Sequence, residues 1–441
     1  WCPVKLSPAP RANHQLKANN DGTITLSGGY TYTNNTDYMG GQYRDHADGE
    51  WLFDIASMKW NREKDCVEAN QRVYRSGPFH PEAYLEPKPD RAAFTKFLQQ
   101  VPVNVWTKTN PPKKPPMNRD WGTAVLDLDH DVILRWSGGH CAHCGTDVLH
   151  YHLGTNLWEL SAPMEFPLGQ TYTNTEYPEG FNFNGRPWIT GHTYQNYGYE
   201  SASKTMIFLG QSKFAYNYEP LKADWTTRKA KPKGMTYNSC FYTLTVTPTP
   251  HGLVCWTQEG KLFRHEVKSD EWVEEKLEGE KLVSSQVDNS TLTYDSKRDR
   301  LLFLSKSYGD KIKFAGKLQE VDWKTKTVKT LTPKNAEAAS EISYLCQVRY
   351  DVANDVLLVG NTLPEVGGVR RTPIYDCADN TWKSLQITGD DPNGTRGRNV
   401  SLGLMYDTKR KLFWAVDTNS QVYVLKLEPK TADSKMLGKE E

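Results

Sequence analysis

Short runs of alternating apolar and polar residues, separated by turn residues, recur along most of the chain. One unit covers Leu292–Leu304, where Tyr294-Asp295 ends one run and Arg300–Phe303 forms the next. Similar units cover Val348–Val359 and Gly403–Val416. A period of two residues places successive side chains on opposite faces of a strand, so the pattern predicts many short β-strands joined by tight turns.

A second signature follows each unit. An aromatic or apolar residue, usually followed by an acidic one, precedes a tryptophan at a constant spacing. The pairs are Phe53 and Trp60, Tyr151 and Trp158, Tyr218 and Trp225, His265 and Trp272, and Tyr375 and Trp382. Val321 and Val328 keep the spacing without the tryptophan, and Leu427 to Ser434 is interpreted as a degenerate final copy. The repeat predicts similar four-stranded sheets that pack against one another, because one such sheet cannot bury both faces alone.

Seven copies of this repeat can be drawn along the chain. They cover residues 11–61, 119–160, 186–226, 235–276, 286–330, 340–385 and 397–435. Gly28-Gly29 and Gly138-Gly139, which follow the second strand of a copy, and the segments 11–14 and 191–194 resemble bacterial kelch-repeat, galactose-oxidase-like β-propeller proteins. The resemblance implies an all-β chain in which residues 1–441 form a single seven-bladed kelch-type β-propeller. It implies no particular chemistry.

Residues 62–118 do not follow the repeat. They contain many prolines and a predicted short helix at Asp90–Val101. We interpret them as an insertion between the first two blades, because no second hydrophobic core is visible. A disulfide between Cys66 and Cys2 is one way in which this segment would be held in place.

Composition narrows the classes of partner. The formal net charge is +1, so no global field would attract nucleic acid or an anionic membrane, and no apolar run is long enough to predict a spanning helix. Aromatic residues make up 12% of the chain, which suits strands. The eight cysteines and the start Trp1-Cys2-Pro3 without methionine favour an exported product, secreted or periplasmic. Candidate disulfides join Cys240 to Cys255 and Cys346 to Cys377.

Residues 138–146 carry the strongest chemical signal. His140, Cys141, His143 and Cys144 combine Cys-x-x-Cys with His-x-x-His, and imidazole and thiolate are ligands that zinc and copper prefer. Adjacent side chains diverge, so two or three of these groups and a partner from elsewhere form a more realistic site. When the repeats are aligned, His192 falls at the start of the innermost strand of the following blade. It is therefore the predicted partner.

Two structural interpretations of these residues stay open. In the first interpretation, Cys141 and Cys144 form a short-loop disulfide or are thiols without a role. In the second interpretation, His192 packs between blades, as histidine often does at this position in kelch relatives. His150 and His152 lie on a strand that carries His152 away from the proposed site, and His265 replaces a repeat aromatic and is predicted to lie in the core.

The sequence leaves three functional hypotheses. One is a carbohydrate-active enzyme, such as a polysaccharide lyase, with His192 or His140 as base, Tyr194 as acid and Arg119 neutralising a uronate carboxylate. Another is a metal-dependent protein whose ion binds to the residues around His140. A third is a non-catalytic glycan- or protein-binding scaffold. The chain lacks a serine nucleophile elbow, a phosphate-binding glycine loop and a His-Glu-x-x-His helix. It also has no histidine after His265, so the galactose-oxidase copper site cannot be transferred to it.

Overall fold

The computed structural model describes part of the chain, in which β-strands dominate and one α-helix is present. The described residues are 14–28, 30–33, 42–45, 51–62, 90–115, 123–136, 148–160, 182–183, 186–187, 193, 195–209, 214–235, 244–283, 291–304, 318–336, 347–360, 369–393 and 403–436. The predicted all-β class is confirmed.

Six mainly antiparallel sheets contain most of these strands, and we number them in chain order. Sheet I comprises β8 (Val125–Asp127), β9 (Val132–Trp136), β10 (Val148–His152) and β11 (Leu157–Leu160). Sheet II comprises β14 (Tyr197–Glu200), β15 (Thr205–Phe208), β16 (Phe214–Glu219) and β17 (Asp224–Ala230). Sheet III comprises β18 (Thr245–Thr249), β19 (Gly252–Trp256), β20 (Leu262–Glu266) and β21 (Glu271–Glu274).

The other three sheets have five strands each, since sheets IV and V gain one strand and sheet VI gains two from outside their consecutive strands. Sheet IV comprises β23 (Thr291–Asp295), β24 (Arg300–Leu304), β25 (Leu318–Asp322), β26 (Thr327–Leu331) and β22 (Glu278–Gly279). Sheet V comprises β27 (Val348–Asp351), β28 (Val356–Val359), β29 (Arg371–Asp376), β30 (Thr381–Gln386) and β35 (Ser434–Met436). Sheet VI comprises β32 (Gly403–Asp407), β33 (Leu412–Val416), β34 (Val422–Leu425), β7 (Val105–Lys108) and β31 (Thr388–Gly389).

A further four-stranded sheet lies near the amino terminus. It contains β1 (Gln15–Ala18), β2 (Thr23–Ser27), β5 (Trp51–Asp54) and β6 (Lys59–Arg62). Two separate hairpins pair β3 (Tyr30–Thr33) with β4 (Gln42–Asp45), and β12 (Asn182–Phe183) with β13 (Arg186–Pro187).

The tryptophan spacing corresponds to a cross-strand pair. Tyr151 lies directly opposite Trp158 on the last two strands of sheet I, and their ring centroids are 5.2 Å apart. The same register joins the other predicted pairs: Phe53 and Trp60, Tyr218 and Trp225, His265 and Trp272, Val321 and Val328, and Tyr375 and Trp382. The predicted hairpins are therefore confirmed. Cross-strand aromatic pairs of this kind stabilise a sheet by about 0.2–1 kcal/mol each.

The six numbered sheets follow one another in a cyclic order. The first strand of each sheet contacts the first strand of the next, and β32 of sheet VI contacts β8 of sheet I. The hydrophobic core is divided in the same way into six clusters, each made by two neighbouring sheets. Trp136 and Phe208, for example, pack edge-to-face between sheets I and II, with centroids 4.2 Å apart.

Polar contacts also join each pair of neighbouring sheets. Arg410 of sheet VI donates to both carboxylate oxygens of Asp131 in sheet I, at 2.7 Å, which links the ends of the cycle. The remaining contacts around the cycle join His150 to Tyr218, His265 to Glu200, His251 to Asp299, Arg298 to Asp355, and Asn354 to the carbonyl of Leu427. Every boundary between neighbouring sheets thus combines a buried apolar cluster with a specific hydrogen bond.

Two features differ from the predicted arrangement. The cyclic order contains six described sheets, not seven, because β1, β2, β5 and β6 form the first predicted copy as a sheet outside the cycle. In addition, residues 427–434 do not end sheet VI as a final copy, since Ser434 pairs with Leu385 of sheet V. The fourth position in sheet VI, next to β34, is taken by β7, where Val424 pairs with Thr107.

The stretch 62–118, predicted to be an insertion, contributes to this arrangement. It contains β7 and the single described helix, α1 (Arg91–Gln99), whose N-cap Asp90 accepts a hydrogen bond from the Ala93 amide at 2.8 Å. The predicted helix is therefore confirmed, and its Phe94 packs into the cluster between sheets I and VI. The boundaries of the insertion stay a prediction. Among the described residues, no helix has the length and hydropathy needed to cross a membrane.

Two of the candidate disulfides are absent. Cys255 and Cys377 are buried free thiols, so neither is bonded to Cys240 or Cys346. Burial raises the pKa of both thiols well above the ordinary value, which keeps them protonated and chemically inert. Both side chains act as small apolar groups in the core. The other six cysteines lie outside the described residues.

Gly403 provides a test of the contact that closes the cycle. A Cβ atom at this position would lie 2.6 Å from the Cβ of Ala124 and 2.8 Å from its backbone nitrogen. Gly403→Ala is therefore expected to lower the free energy of unfolding by about 1–3 kcal/mol, measured by chemical denaturation. Gly154→Ala is the control, because the nearest atom there is the flexible end of Arg91 at 3.2 Å. Equal effects of the two substitutions would contradict a tight contact between β32 and β8.

Candidate functional site

A cavity of about 520 Å³ lies where the first strands of all six sheets converge. This volume is in the range of small-molecule sites in proteins. Corresponding positions along the six strands contribute to its wall. These positions are Val125, Gly198, Thr247, Thr293, Arg349 and Met405.

Tyrosine side chains are also among the lining residues, and three of them donate hydrogen bonds to carboxylates in turns. Tyr294 and Tyr350 each donate to an aspartate in the turn that follows its own strand, whereas Tyr199 donates to Asp129 in the turn that follows β8 of the neighbouring sheet I. Burial, together with these carboxylates, raises the pKa of all three phenols far above the ordinary value. The phenols therefore stay neutral, and they provide aromatic surface to the cavity without acting as acids or bases.

Arg349 is the only charged residue among the described residues that line the cavity. Its Nη1 donates to the carbonyl of Val348 at 2.9 Å, and its Nη2 donates to Oε1 of Gln347 at 3.3 Å. Burial lowers the pKa of Arg349 to about 10, so the guanidinium is still protonated at neutral pH. No carboxylate of the described residues forms an ion pair with it. The cavity wall thus carries one positive charge that no described acidic group balances.

A chain of hydrogen bonds leads from Arg349 to the second strand of sheet I. Gln347, which accepts from Arg349, donates through Nε2 to the hydroxyl of Thr123. The carbonyl of Thr123 lies within hydrogen-bonding distance of the Tyr197 hydroxyl, which also lies 3.2 Å from the carbonyl of Trp136. The side chains of Arg349, Gln347, Thr123 and Tyr197 and the end of β9 at Trp136 are therefore connected by hydrogen bonds at one end of the cavity.

The residues predicted to carry the chemistry all lie outside the described residues. This group contains the predicted metal ligands and the predicted catalytic residues, namely Arg119, His140, Cys141, His143, Cys144, His192 and Tyr194. Their roles stay predictions. The nearest described residues in the chain are Thr123 after Arg119, Trp136 before His140, and Thr193, Gln195 and Tyr197 around His192 and Tyr194.

These neighbouring residues meet in the structure. The Tyr197 hydroxyl contacts the carbonyls of both Thr123 and Trp136, and the rings of Tyr197 and Trp136 pack edge-to-face with centroids 6.1 Å apart. Thr123, Trp136 and Tyr197, which lie close in sequence to the predicted site residues, are therefore adjacent to one another at the end of the cavity where Arg349 lies.

Three of the described histidines have surroundings that explain them structurally. His265 is 2% exposed and packs on Trp272, which confirms its predicted place in the core. His150 is buried and hydrogen-bonded to Tyr218 at 2.9 Å, and burial lowers its pKa to about 3, so it stays neutral. His152 lies 2.7 Å from Glu159. Within the part of the chain that the structure describes, no group of three or more histidine, cysteine or acidic residues could hold a metal ion.

The described wall contains no general base. No histidine, lysine, cysteine or carboxylate is among the described lining residues, and the tyrosines are held neutral. Arg349 was missed at the sequence level although a signal was present. In the copies that contain Tyr-Asp or Tyr-Glu, the residue before the tyrosine is Gly198, Thr293, Arg349 or Met405, and only one of these is charged.

No protein-family model matches this chain, and no curated protein matches it. The case for a function therefore rests on the cavity, its single cation and the hydrogen bonds around it. These features are the basis of the proposals below.

Proposed function

We propose that the six numbered sheets are the blades of a kelch-type β-propeller whose central channel is the cavity. The cyclic order of first-strand contacts and the six inter-sheet clusters support this. The placement of β7 beside β34 also supports it, because an outer strand taken from a distant part of the chain joins the two ends of the cycle. The proposed propeller has six blades, and the amino-terminal sheet is an addition to it.

We infer that this propeller binds carbohydrate in the channel. The observation that carries the proposal is a wall that combines tyrosine rings with hydroxyl and guanidinium groups in a cavity of about 520 Å³. Sugar rings have apolar faces that pack on aromatic surfaces and polar edges that need hydrogen bonds. Export to a secreted or periplasmic location is part of this proposal.

The proposed chemistry is lyase-like or metal-dependent, and it depends on the sequence-predicted residues. His192 or His140 would remove the proton next to a uronate carboxylate, Tyr194 would protonate the leaving oxygen, and Arg119 would neutralise the carboxylate. The metal, zinc or copper, would bind to His192 and to two or three of the groups of His140, Cys141, His143 and Cys144. Since the described wall has no base, acid–base catalysis in the channel requires residues of this kind.

The catalytic proposal predicts that wild-type protein generates unsaturated products from a uronate polymer and that His192→Ala lowers the rate at least about 100-fold. The rise in ultraviolet absorbance of the product measures this rate. Elemental analysis of untagged protein measures the metal content. His251→Ala is the control, because His251 stacks on Trp323 at the boundary between sheets III and IV and does not line the cavity. Equal rates for the two variants would contradict the assigned role of His192.

Filling the cavity tests the binding proposal independently of catalysis. Thr247 lines the cavity from the middle of β18. Thr247→Phe is expected to weaken oligosaccharide binding at least about tenfold, because the added ring occupies ligand volume. Isothermal titration calorimetry measures the affinity. The matched control is Thr227→Phe, on the exposed edge of β17. Unchanged affinity in the Thr247 variant would place the carbohydrate site outside the channel.

A non-catalytic glycan- or protein-binding scaffold is the second candidate. The lack of a general base among the described lining residues favours it. It predicts retained binding and no product formation, and it predicts that the triple variant His140→Ala, His143→Ala, His192→Ala binds as the wild type does. The enzyme and the scaffold are therefore separated by turnover.

A further inference from the structure

Arg349 carries a charge whose electrostatic cost no described acidic group offsets. The guanidinium is partly buried in the cavity wall, and every charged residue that could neutralise it is absent from the described lining. Removing a cation from water costs several kcal/mol unless an anion or a full set of hydrogen bonds compensates. The contrast with Arg298, Arg300 and Arg410 is clear, since each of these pairs with at least one aspartate.

The hydrogen-bonding capacity of Arg349 is also incompletely used. A guanidinium has five N–H donors in a planar fork. Two are used, toward the Val348 carbonyl and the Gln347 side chain, which leaves three without a partner among the described residues. Gln347 is itself fixed, because its Oε1 accepts from the Leu404 amide at 2.9 Å and its Nε2 donates to Thr123. The guanidinium is therefore held from one side, and the rest of its fork is available to a ligand.

We propose that Arg349 recognises a carboxylate on the bound sugar, so that the channel selects uronates over neutral hexoses. This inference rests on the proposed carbohydrate function and names its substrate class. A guanidinium matches the planar carboxylate in geometry and charge, and it does so better than it matches a hydroxymethyl group. Thr293 and Tyr350, on the neighbouring positions of the wall, are placed to contact the sugar ring.

The preference for uronates over neutral hexoses follows from the unpaired positive charge of Arg349. A uronate brings the missing negative charge into a partly desolvated site, where a charged hydrogen bond is stronger than a neutral one. A neutral hexose binds to the same wall but leaves the cation unpaired. Arg349 is thus a specificity-determining residue and takes no part in proton transfer.

The test compares three matched pairs of sugars: glucuronate with glucose, galacturonate with galactose, and mannuronate with mannose. Affinities of wild type, Arg349→Gln and Arg349→Lys are measured by isothermal titration calorimetry at one ionic strength, with inorganic sulfate as a separate probe. Wild type is expected to favour the acid of at least one pair by about tenfold or more. Arg349→Gln should abolish this preference, because it should weaken binding of the acid far more than binding of the neutral sugar, while Arg349→Lys should retain part of it.

The outcomes separate the two proposals. Binding of neutral and acidic sugars with equal affinity overturns the role of Arg349 and leaves the carbohydrate function standing. No binding of any sugar overturns the carbohydrate function itself. Sulfate that binds as tightly as the best uronate shows a general oxyanion site and overturns the sugar-acid assignment. If Arg349→Gln does not fold, the Lys variant decides, because loss of bidentate geometry at constant charge should still weaken binding of the uronate more than binding of the neutral sugar.

Discussion

Replacing Trp106 with alanine is expected to lower the free energy of unfolding by about 3–5 kcal/mol, as loss of a large buried aromatic does. Trp106 is 5% exposed and belongs to the cluster between sheets V and VI, together with Phe413 and Leu425. It lies on β7, the fourth strand of sheet VI. Removing its side chain therefore weakens sheet VI and its packing against sheet V. Chemical denaturation followed by fluorescence measures the effect.

Trp60→Ala is the matched control. Trp60 belongs to the amino-terminal sheet, is partly exposed and contacts Phe53 with centroids 4.9 Å apart. Because this sheet is outside the cyclic order, we expect the main unfolding transition to change by no more than about 1 kcal/mol. A larger loss from Trp60→Ala than from Trp106→Ala would show that the amino-terminal sheet, and not β7, supports the core.

The second large effect is expected at Glu200, between sheets II and III. This carboxylate is 3% exposed and accepts from the Leu253 amide at 2.9 Å, the Ser203 hydroxyl at 2.6 Å and His265 Nδ1 at 2.7 Å. His265 Nε2 lies 3.1 Å from Asp270. Both ring nitrogens thus face carboxylates, which favours the imidazolium. Glu200→Ala is expected to cost about 3–5 kcal/mol, because it leaves a buried cation without its main partner.

The pH dependence of this pair has a definite sign. Burial alone would lower the pKa of His265, but the hydrogen bonds and charges of Glu200 and Asp270 outweigh it and raise the pKa above 6.5. Its contribution to stability is therefore full below pH 6.5 and is lost as the pH rises through the raised value. Burial would raise the pKa of Glu200, but His265 and Ser203 lower it below 4.5, so its contribution is full above pH 4.5 and is lost as the pH falls through the lowered value.

The wild type is therefore expected to exceed Glu200→Gln in stability most between pH 4.5 and 6.5. The Gln variant keeps the size of the side chain and removes only its charge. Urea denaturation at several pH values measures the difference. A difference that grows as the pH rises above the His265 pKa would contradict a charged His265–Glu200 pair.

The sequence predicted the hairpins well because their signals are local. The Tyr-to-Trp spacing corresponds to one turn and one cross-strand pair, as Tyr375 and Trp382 illustrate. The number of sheets in the cycle is not a local property. Phe53 and Trp60 have the same register as the other pairs, yet their sheet stays outside the cycle. The proline-rich surroundings of β7 gave no indication that it pairs with β34 near the other end of the chain.

The candidate site likewise has one part that the sequence indicates and one part that only the structure reveals. The His140–Cys144 segment stands out by residue type alone, and no described residue tests it. Arg349 stands out only by position, because an arginine on a strand is ordinary until the six first strands are placed around one cavity. What makes it a candidate is the lack of an acidic partner among the described residues, which depends on side chains from several sheets and is invisible in a single repeat.

The origin of sheet VI has a consequence for biosynthesis. Its strand β7 is translated before sheets I to IV and the first four strands of sheet V, whereas β32, β33 and β34 are translated after those strands. During most of elongation, the nascent chain therefore exposes a strand whose antiparallel neighbour β34 does not yet exist. Unpaired edges attract other chains. A ribosome that stalls before Val422 would leave this edge uncovered, so the nascent chain needs protection until β34 has been translated.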